Sequence, residues 1–373
     1  SAYQWHLPKV SAPSAWDTTT GSSAVTVAVV DSGVQANHPD LVGRVLAGYD
    51  FVNNDSDPAD DNGHGTAVAG VAAAKGNDGI GVAGAAWNVA ILPVKTMNAS
   101  GSGSHSAIAI GSNYSADRGA KIINLSLGGT TSSSTLQNAV SYAWNKGSLL
   151  VAAAGNNGSS TTVYPAAYPN VVAVSATTSA DTLASFSSFG SFVDLSAPGQ
   201  DITTTWIGSS YVTISGTSFS SPLTAGVAAL ALSRNPALSN AALSSLLTAN
   251  TDDLGAAGYD IYFGSGRLNA AKVVDASLSV DVTAPTTAVT SPANGSSIAG
   301  TRSVNVTVAS SDNIGVTKAE LYINGRLNAS SSSGNFTFGW NTSRLSSGTY
   351  QLQSRAYDAA GNVASSAIVS VTR

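Results

Sequence analysis

Three separated segments each set one chemically active side chain among glycines. Val27-Ala28-Val29-Val30-Asp31-Ser32-Gly33 ends an apolar run on an acid. Asn62-Gly63-His64-Gly65-Thr66-Ala67-Val68-Ala69-Gly70 opens an Ala-rich run on an imidazole, and Ser215-Gly216-Thr217-Ser218-Phe219-Ser220-Ser221-Pro222 carries a hydroxyl. A serine hydroxyl is a weak nucleophile at neutral pH and needs a base to take its proton. Imidazole titrates near neutrality, so His64 suits that base and, later, the acid that protonates a leaving amine. Asp31 would keep one ring nitrogen protonated, orient the ring and stabilise the imidazolium. Taken singly, each residue also has a structural reading: Asp31 as a turn residue or N-cap, His64 as a satisfied structural histidine, Ser218 as a cap of the helix after it.

Together, with these flanks and in the order Asp, His, Ser, the segments resemble the subtilisin-family serine peptidases, and within them the thermitase-like branch. The resemblance implies hydrolysis of peptide bonds through an acyl-enzyme. It also implies roles for other residues. Asn156, in Ala152-Ala153-Ala154-Gly155-Asn156-Asn157-Gly158, takes the position of the side-chain donor to the oxyanion, with the Ser218 backbone N–H as the second donor. The alternative for this segment is a plain turn. Gly101, Ser102 and Gly103 match one of the two rails along which the family lays an extended peptide; Ser126, Leu127 and Gly128 match the other. Alone, the first rail would read as a flexible Gly/Ser loop. Gly128, Ala153 and Gly155 would line the pocket for the residue before the scissile bond with small uncharged groups, which implies an apolar or aromatic preference. Val163-Tyr164-Pro165 places a larger residue at its base than some relatives have.

Two groups of oxygen-bearing residues are candidate Ca²⁺ sites. Asp50, Asn53, Asp55 and Asp57 form a short acidic loop of the kind that binds this ion, and match a calcium loop of the thermitase-like branch; Ala59 stands where that branch has a further side-chain oxygen. A solvated acidic loop is the alternative. Asp40 and Asp78, with the carbonyls of Ile80 and Val82, match a second family site, whose N-terminal Asp is missing, leaving Gln4 as a substitute. The chain has no cysteine, so bound Ca²⁺ would be its staple.

The elements that must hold these residues are legible in outline. Strand-like runs at 25–30, 90–94, 121–127 and 148–154 alternate with helical patterns at 64–74, 104–118, 135–146 and 218–232. This predicts an α/β fold, a doubly wound, mainly parallel sheet, with active residues at the carboxyl ends of its strands. The texture changes near residue 280. We read 1–277 as the peptidase-like domain, 278–285 as a linker and 286–373 as a small all-β sandwich of about seven short strands. Asp312-Asn313-Ile314-Gly315-Val316 and Ala356-Tyr357-Asp358-Ala359-Ala360-Gly361-Asn362 resemble bacterial immunoglobulin-like modules. Trp340 and Tyr350 are expected in the core of that sandwich.

Composition excludes some classes. Only 10 % of residues are charged, the net charge is −5 and no basic block occurs, so nucleic acid is not an expected partner. No apolar run reaches the roughly 18 residues of a membrane span. Ser1 opens directly onto sequence of folded texture, as a mature product would. The resemblance implies a secreted, extracellular monomer acting on protein or peptide substrates, made with a signal peptide and a cleaved pro-segment that aids folding and inhibits. Three departures stand out: Ala67 and Leu223 replace histidines usual in the family, and Phe219 replaces a methionine. Neither histidine belongs to the Asp-His-Ser set, so activity is still expected. The rival readings are a catalytically silent binding protein and an esterase.

Overall fold

The apolar run that ends on Asp31 becomes a strand buried along almost its whole length in the computed structural model, which describes residues 3–278 and 281–373. Ser1, Ala2, Ser279 and Val280 lie outside the described residues, and with them two positions of the expected linker. The chain divides into two compact units, Ser1–Ser279 and Val280–Arg373.

In the first unit two short helices, α1 (His6–Lys9) and α2 (Ala12–Trp16), precede β1 (Thr26–Asp31) and β2 (Tyr49–Asp50). Helices and strands then alternate: α3 (His64–Ala73), β3 (Ala90–Lys95), α4 (His105–Asp117), β4 (Ile122–Leu125), α5 (Ser134–Asn145), β5 (Leu149–Ala153), β6 (Val171–Thr177) and β7 (Leu195–Pro198). The hairpin β8 (Ile202–Trp206) and β9 (Ser210–Ile214) leads into the long α6 (Thr217–Arg234), followed by α7 (Asn240–Ala249), β10 (Thr251–Asp252), β11 (Arg267–Leu268) and α8 (Ala270–Ala276). Nine strands form one sheet in the order β10-β11-β7-β6-β5-β4-β1-β3-β2, parallel except for the β10–β11 pair. The sheet grows from β1 in both directions, with β3 on one side and β4 on the other. Such a reversal of strand order opens a crevice at the strands' carboxyl ends, and Asp31 is the last residue of β1 there. The strands are Val-, Ile- and Leu-rich and buried on both faces, as a parallel sheet covered by helices requires. α3 and α6 are buried on nearly every side, and Ala67, Phe219 and Leu223 lie in that core.

His6 is fully buried in α1, and neither ring nitrogen has a hydrogen-bond partner among the described residues. Burial without a partner pushes its pKa down to about 3. The unfolded chain therefore binds a proton between pH 6.5 and 3 that the folded chain refuses. The stability tied to His6 is full above pH 6.5 and falls by about 1.4 kcal/mol per pH unit below it. Unfolding of the chain and of His6→Leu, compared from pH 7 to 5, should diverge on acidification with the parent losing more. A difference independent of pH would refute this.

The second unit contains β12 (Thr286–Ser291), β13 (Ser303–Ser311), β14 (Val316–Ile323), β15 (Arg326–Ser331), β16 (Phe336–Asn341), β17 (Thr349–Asp358), β18 (Val363–Ser365) and β19 (Val369–Thr372). One antiparallel sheet runs β12-β13-β16, the other β15-β14-β17-β18 with β19 also on β17. Period-2 alternation turns Val306, Val308, Leu321, Ile323 and Leu352 into a common core. Trp340, 6 % exposed, packs edge-on against Tyr350 in that core, ring centroids 5.5 Å apart.

Candidate functional site

Asp31, His64 and Ser218 come from the end of β1, the first residue of α3 and the second of α6. A Cβ on Gly65 would run into the carbonyl of Gly33, so glycine is what lets α3 start this close to β1. His64 Nδ1 then lies 2.8 Å from Asp31 Oδ1. That oxygen also accepts from Ser32 N at 2.8 Å, and Asp31 is fully buried. A carboxylate only accepts, so Nδ1 carries the ring proton and Nε2 is left as the basic nitrogen. Burial opposes a charged ring, but the charge and hydrogen bond of Asp31, joined by the charge of Asp60, outweigh it and raise His64 above its ordinary 6.5.

Asp60 was not signalled by the sequence reading. Its Oδ1 accepts from Ser32 Oγ, Asn62 N and Gly63 N, and its Oδ2 from Thr66 N and Oγ1, which binds the start of α3 to the loop after β1. The spacing that could have found it is an acid four residues before His64, near a helix N-terminus. Lys95, 1 % exposed at the end of β3, is a second omission. Its Nζ donates to the carbonyls of Ser32 (2.7 Å) and Met97 (3.0 Å) and to Asp61 (2.6 Å).

Around Ser218 a proline shapes the helix start. Pro222 has no N–H, so the Ser218 carbonyl loses its i+4 partner. Ser126 Oγ fills that role at 2.8 Å, while Ser218 Oγ donates to Ser126 O at a long 3.3 Å. Asn124 ties into the same network through Ser126 Oγ and Ser221 Oγ. The hydroxyl is thus weakly held, and rotation about χ1 is what would redirect it. His64, Ser218 and Asn156 all line one cavity of about 520 Å³.

The orientation of the Asn156 amide is settled by its neighbours. Its Oδ1 accepts from Thr217 N and Thr217 Oγ1, both at 2.9 Å. Because the backbone N–H can only donate, the oxygen must face Thr217, and Nδ2 remains as a donor on the cavity side. Thr217 Oγ1 in turn accepts from Gly155 N at 3.1 Å.

The two expected rails border the same space: Gly101, Ser102 and Gly103 on one side, Ser126, Leu127 and Gly128 on the other. Ala153 and Gly155 line an adjoining cavity of about 420 Å³ with Leu127, Gly128, Asn156 and Ser218. Val163 closes one wall of it: a Cβ on Gly128 or on Gly155 would come within 2.7 Å of its methyl groups.

The acidic residues behave differently. Asp50 Oδ1 accepts from Val52 N (2.6 Å) and Asn53 N (2.9 Å), and Oδ2 from Asn53 Nδ2 (2.9 Å). Both its oxygens are occupied, and among the described residues the carboxylates of Asp50, Asp55 and Asp57 are not gathered within ligating distance of a common point. Each of these oxygens nonetheless keeps a lone pair that a metal could take, and Asn53 and backbone carbonyls could add ligands. Asp40 is a second candidate ligand. It is fully buried, Oδ2 accepts from Val82 N at 2.8 Å, and Oδ1 has no partner among the described residues. Val82, its donor, also lines a cavity of about 250 Å³ with Gln4, Asn77 and Ile80, and the Gln4 amide is bonded both ways to the backbone of Ala83. Asp78 pairs with Lys75 at 3.1 Å and accepts from Ile80 N.

The model of the subtilase family of peptidases matches residues 22–266, and that of a bacterial Ig domain matches residues 285–353. Thermitase of Thermoactinomyces vulgaris is 49 % identical over 274 residues, 74 % of this chain and 96 % of that protein. A thermophilic serine proteinase of Bacillus sp. (strain AK1) is 50 % identical over 272 residues, 73 % of this chain and 67 % of its own length. Subtilisin Savinase of Lederbergia lenta is 42 % identical over 266 residues, 71 % of this chain and 96 % of its own. No helix among the described residues is long and apolar enough to cross a membrane. The chain belongs to the subtilase family: it is a subtilisin-like serine endopeptidase that carries an immunoglobulin-like module after its peptidase domain.

Proposed function

We propose that Ser218 is the nucleophile, His64 its base and Asp31 the orienting acid, acting on extended protein or peptide segments. The observation that carries this is the 2.8 Å His64–Asp31 contact beside a cavity that also holds Ser218 and Asn156. Ser218 Oγ bonds to the substrate carbonyl carbon as its proton passes to His64 Nε2. The negative charge moves to the carbonyl oxygen, where Asn156 Nδ2 and the Ser218 N–H receive it. The C–N bond then breaks, His64 returns its proton to the leaving amine, and an acyl-enzyme remains. Water, deprotonated by His64, repeats the sequence and releases the acid. The substrate lies between 101–103 and 126–128 as an added strand.

A fluorophosphonate probe followed by peptide mapping tests the assignment. Label on Ser218 alone, absent from the denatured chain and from His64→Ala, is the expected result. No label on the folded chain would refute it.

The pocket lined by Gly128, Ala153 and Gly155 accepts apolar side chains, with Val163 limiting their size. Val163→Gly should raise kcat/KM for Phe or Tyr before the scissile bond, relative to Ala, by about tenfold, the scale of a few methylenes of room. A peptide series differing only at that residue reads it; an unchanged ratio would remove Val163 from the pocket.

Asp40, with carbonyls of the 80–82 turn, would hold Ca²⁺ and join that turn to the chain after β1. What the ion supplies is stability of the native state alone. Protection of residues 77–83 from hydrogen exchange by Ca²⁺ would identify the site. Family membership further supports secretion with a pro-segment that aids folding, which refolding with and without that segment would check.

A further inference from the structure

Three carboxylates at one end of the immunoglobulin-like module take no part in the site above. Asp281 precedes β12, Asp312 follows β13 and Asp358 ends β17. Each offers a carboxylate oxygen, and the three oxygens lie within 4.8 Å of one another. Like charges at this spacing repel. Among the described residues no Lys or Arg forms an ion pair with any of the three. Exposure does not relieve them either. Asp358 is 5 % exposed, and in the half-buried Asp281 and Asp312 the atoms Oδ2 and Oδ1, respectively, are buried without a hydrogen-bond partner among the described residues. Buried carboxylate oxygens are ordinarily paired, because leaving one unpaired forfeits its hydration for nothing.

The remaining oxygens are anchored. Asp281 Oδ1 accepts from Thr283 N and Asn313 Nδ2, each at 3.0 Å. Asp312 Oδ2 accepts from Ile314 N (3.0 Å) and Gly315 N (2.9 Å). Asp358 accepts from Asn362 N (2.8 Å) and Asn362 Nδ2 (2.7 Å), and that amide also reaches the Asp281 carbonyl at 3.0 Å. Asp281 and Asp312 thus each spend one oxygen on holding their turn and keep the other buried and, among the described residues, unpartnered. We propose that Asp281, Asp312 and Asp358 form a Ca²⁺ site that clamps the first segment of the module to the turns after β13 and β17.

The donor set selects the ion class. It is all oxygen and carries three negative charges, which suits a hard divalent cation rather than zinc or copper. Ca²⁺ binds oxygens at 2.3–2.6 Å, so two of its ligands stand no more than about 5 Å apart, a limit these three oxygens meet. Its tolerance of irregular geometry, with water completing six to eight ligands, fits three turns of different shape better than the octahedron Mg²⁺ demands. The segments of Asp312 and Asp358 stand out in the sequence, but only the fold brings their carboxylates and that of Asp281 together.

Hydrogen exchange read by mass spectrometry on the whole chain, with Ser218→Ala to prevent self-digestion, tests the proposal. Calcium chloride added to chelator-treated protein should slow exchange of segments 312–316 and 358–363 about tenfold. Asp312→Asn keeps an acceptor for the Ile314 and Gly315 N–H groups and should abolish that protection. It should leave exchange of β14 and β17 unchanged without calcium, which reports that the module is folded. Asp281→Asn serves the same purpose should Asp312→Asn fail that control. Segments indifferent to calcium in the parent, or protection that survives both substitutions, would overturn the site.

Discussion

Asp31→Asn is expected to lower kcat by about 10⁴-fold, the loss this exchange causes in another serine peptidase with the same three groups. The geometry gives the reason. Asp31 is fully buried, and its Oδ1 is the hydrogen-bond partner of His64 Nδ1. The amide has nearly the same shape but no charge, and its NH₂ group can face Nδ1, which would move the ring proton to Nε2 and leave no base toward Ser218. The pH profile should change as well. Asp31 supplies the leading influences that raise His64 against burial. Without them the pKa of the base falls, so the residual rate should reach its plateau at a lower pH than in the parent, whose acid limb lies above 6.5. Steady-state rates on a chromogenic peptide from pH 5 to 9 measure both effects. A loss under tenfold, or an acid limb that moves upward, would show that Asp31 does not face the base as proposed.

What the sequence disclosed and what it hid divide along a physical line. Asp31, His64 and Asn156 stand out because each adjoins a tight backbone approach that requires glycine, at Gly33, Gly65 and Gly155, while Ser218 stands out by the Gly-Thr-Ser flank that opens an apolar helix. The central strands were legible for a related reason, since burial on both faces leaves a continuous apolar run, as in β1 and β5. Residues that act through one another were not. Thr217, Asp60, Asn124 and Lys95 are ordinary polar residues until the fold supplies Asn156, α3, Ser126 and Ser32 as partners. The edge elements were faint too: β15 and β18 hold few apolar residues, and the β8–β9 hairpin covers α3 with threonines, of which Thr204 and Thr205 donate to the carbonyls of Ala67 and Thr66. The acidic loop at 50–57 shows the same limit: its composition suits a cation, while the hydrogen bonds by which the Asp50 carboxylate closes its own turn appear only in the fold.

Asn156→Ala is expected to lower kcat by about 10²–10³-fold with KM little changed; that magnitude is the one established for the equivalent donor of subtilisin and is borrowed from it. The partition between kcat and KM follows from where the charge appears. With Oδ1 fixed by Thr217, Nδ2 is a preorganised donor whose value rises only when the carbonyl oxygen becomes an oxyanion. An interaction made in the transition state alone lowers kcat and kcat/KM equally. The substitution has a second effect that must be separated from the first. It leaves Thr217 N and Oγ1 without their acceptor in a buried place, which costs about 1–3 kcal/mol of stability. Rates should therefore be taken well below the unfolding temperature of the variant, measured on the same preparation. Asn156→Asp distinguishes the two effects. It restores an acceptor for Thr217, so stability should recover, while a carboxylate beside the developing oxyanion should hold kcat at or below that of Asn156→Ala. Recovery of turnover together with stability would mean that Asn156 serves the fold and not the reaction.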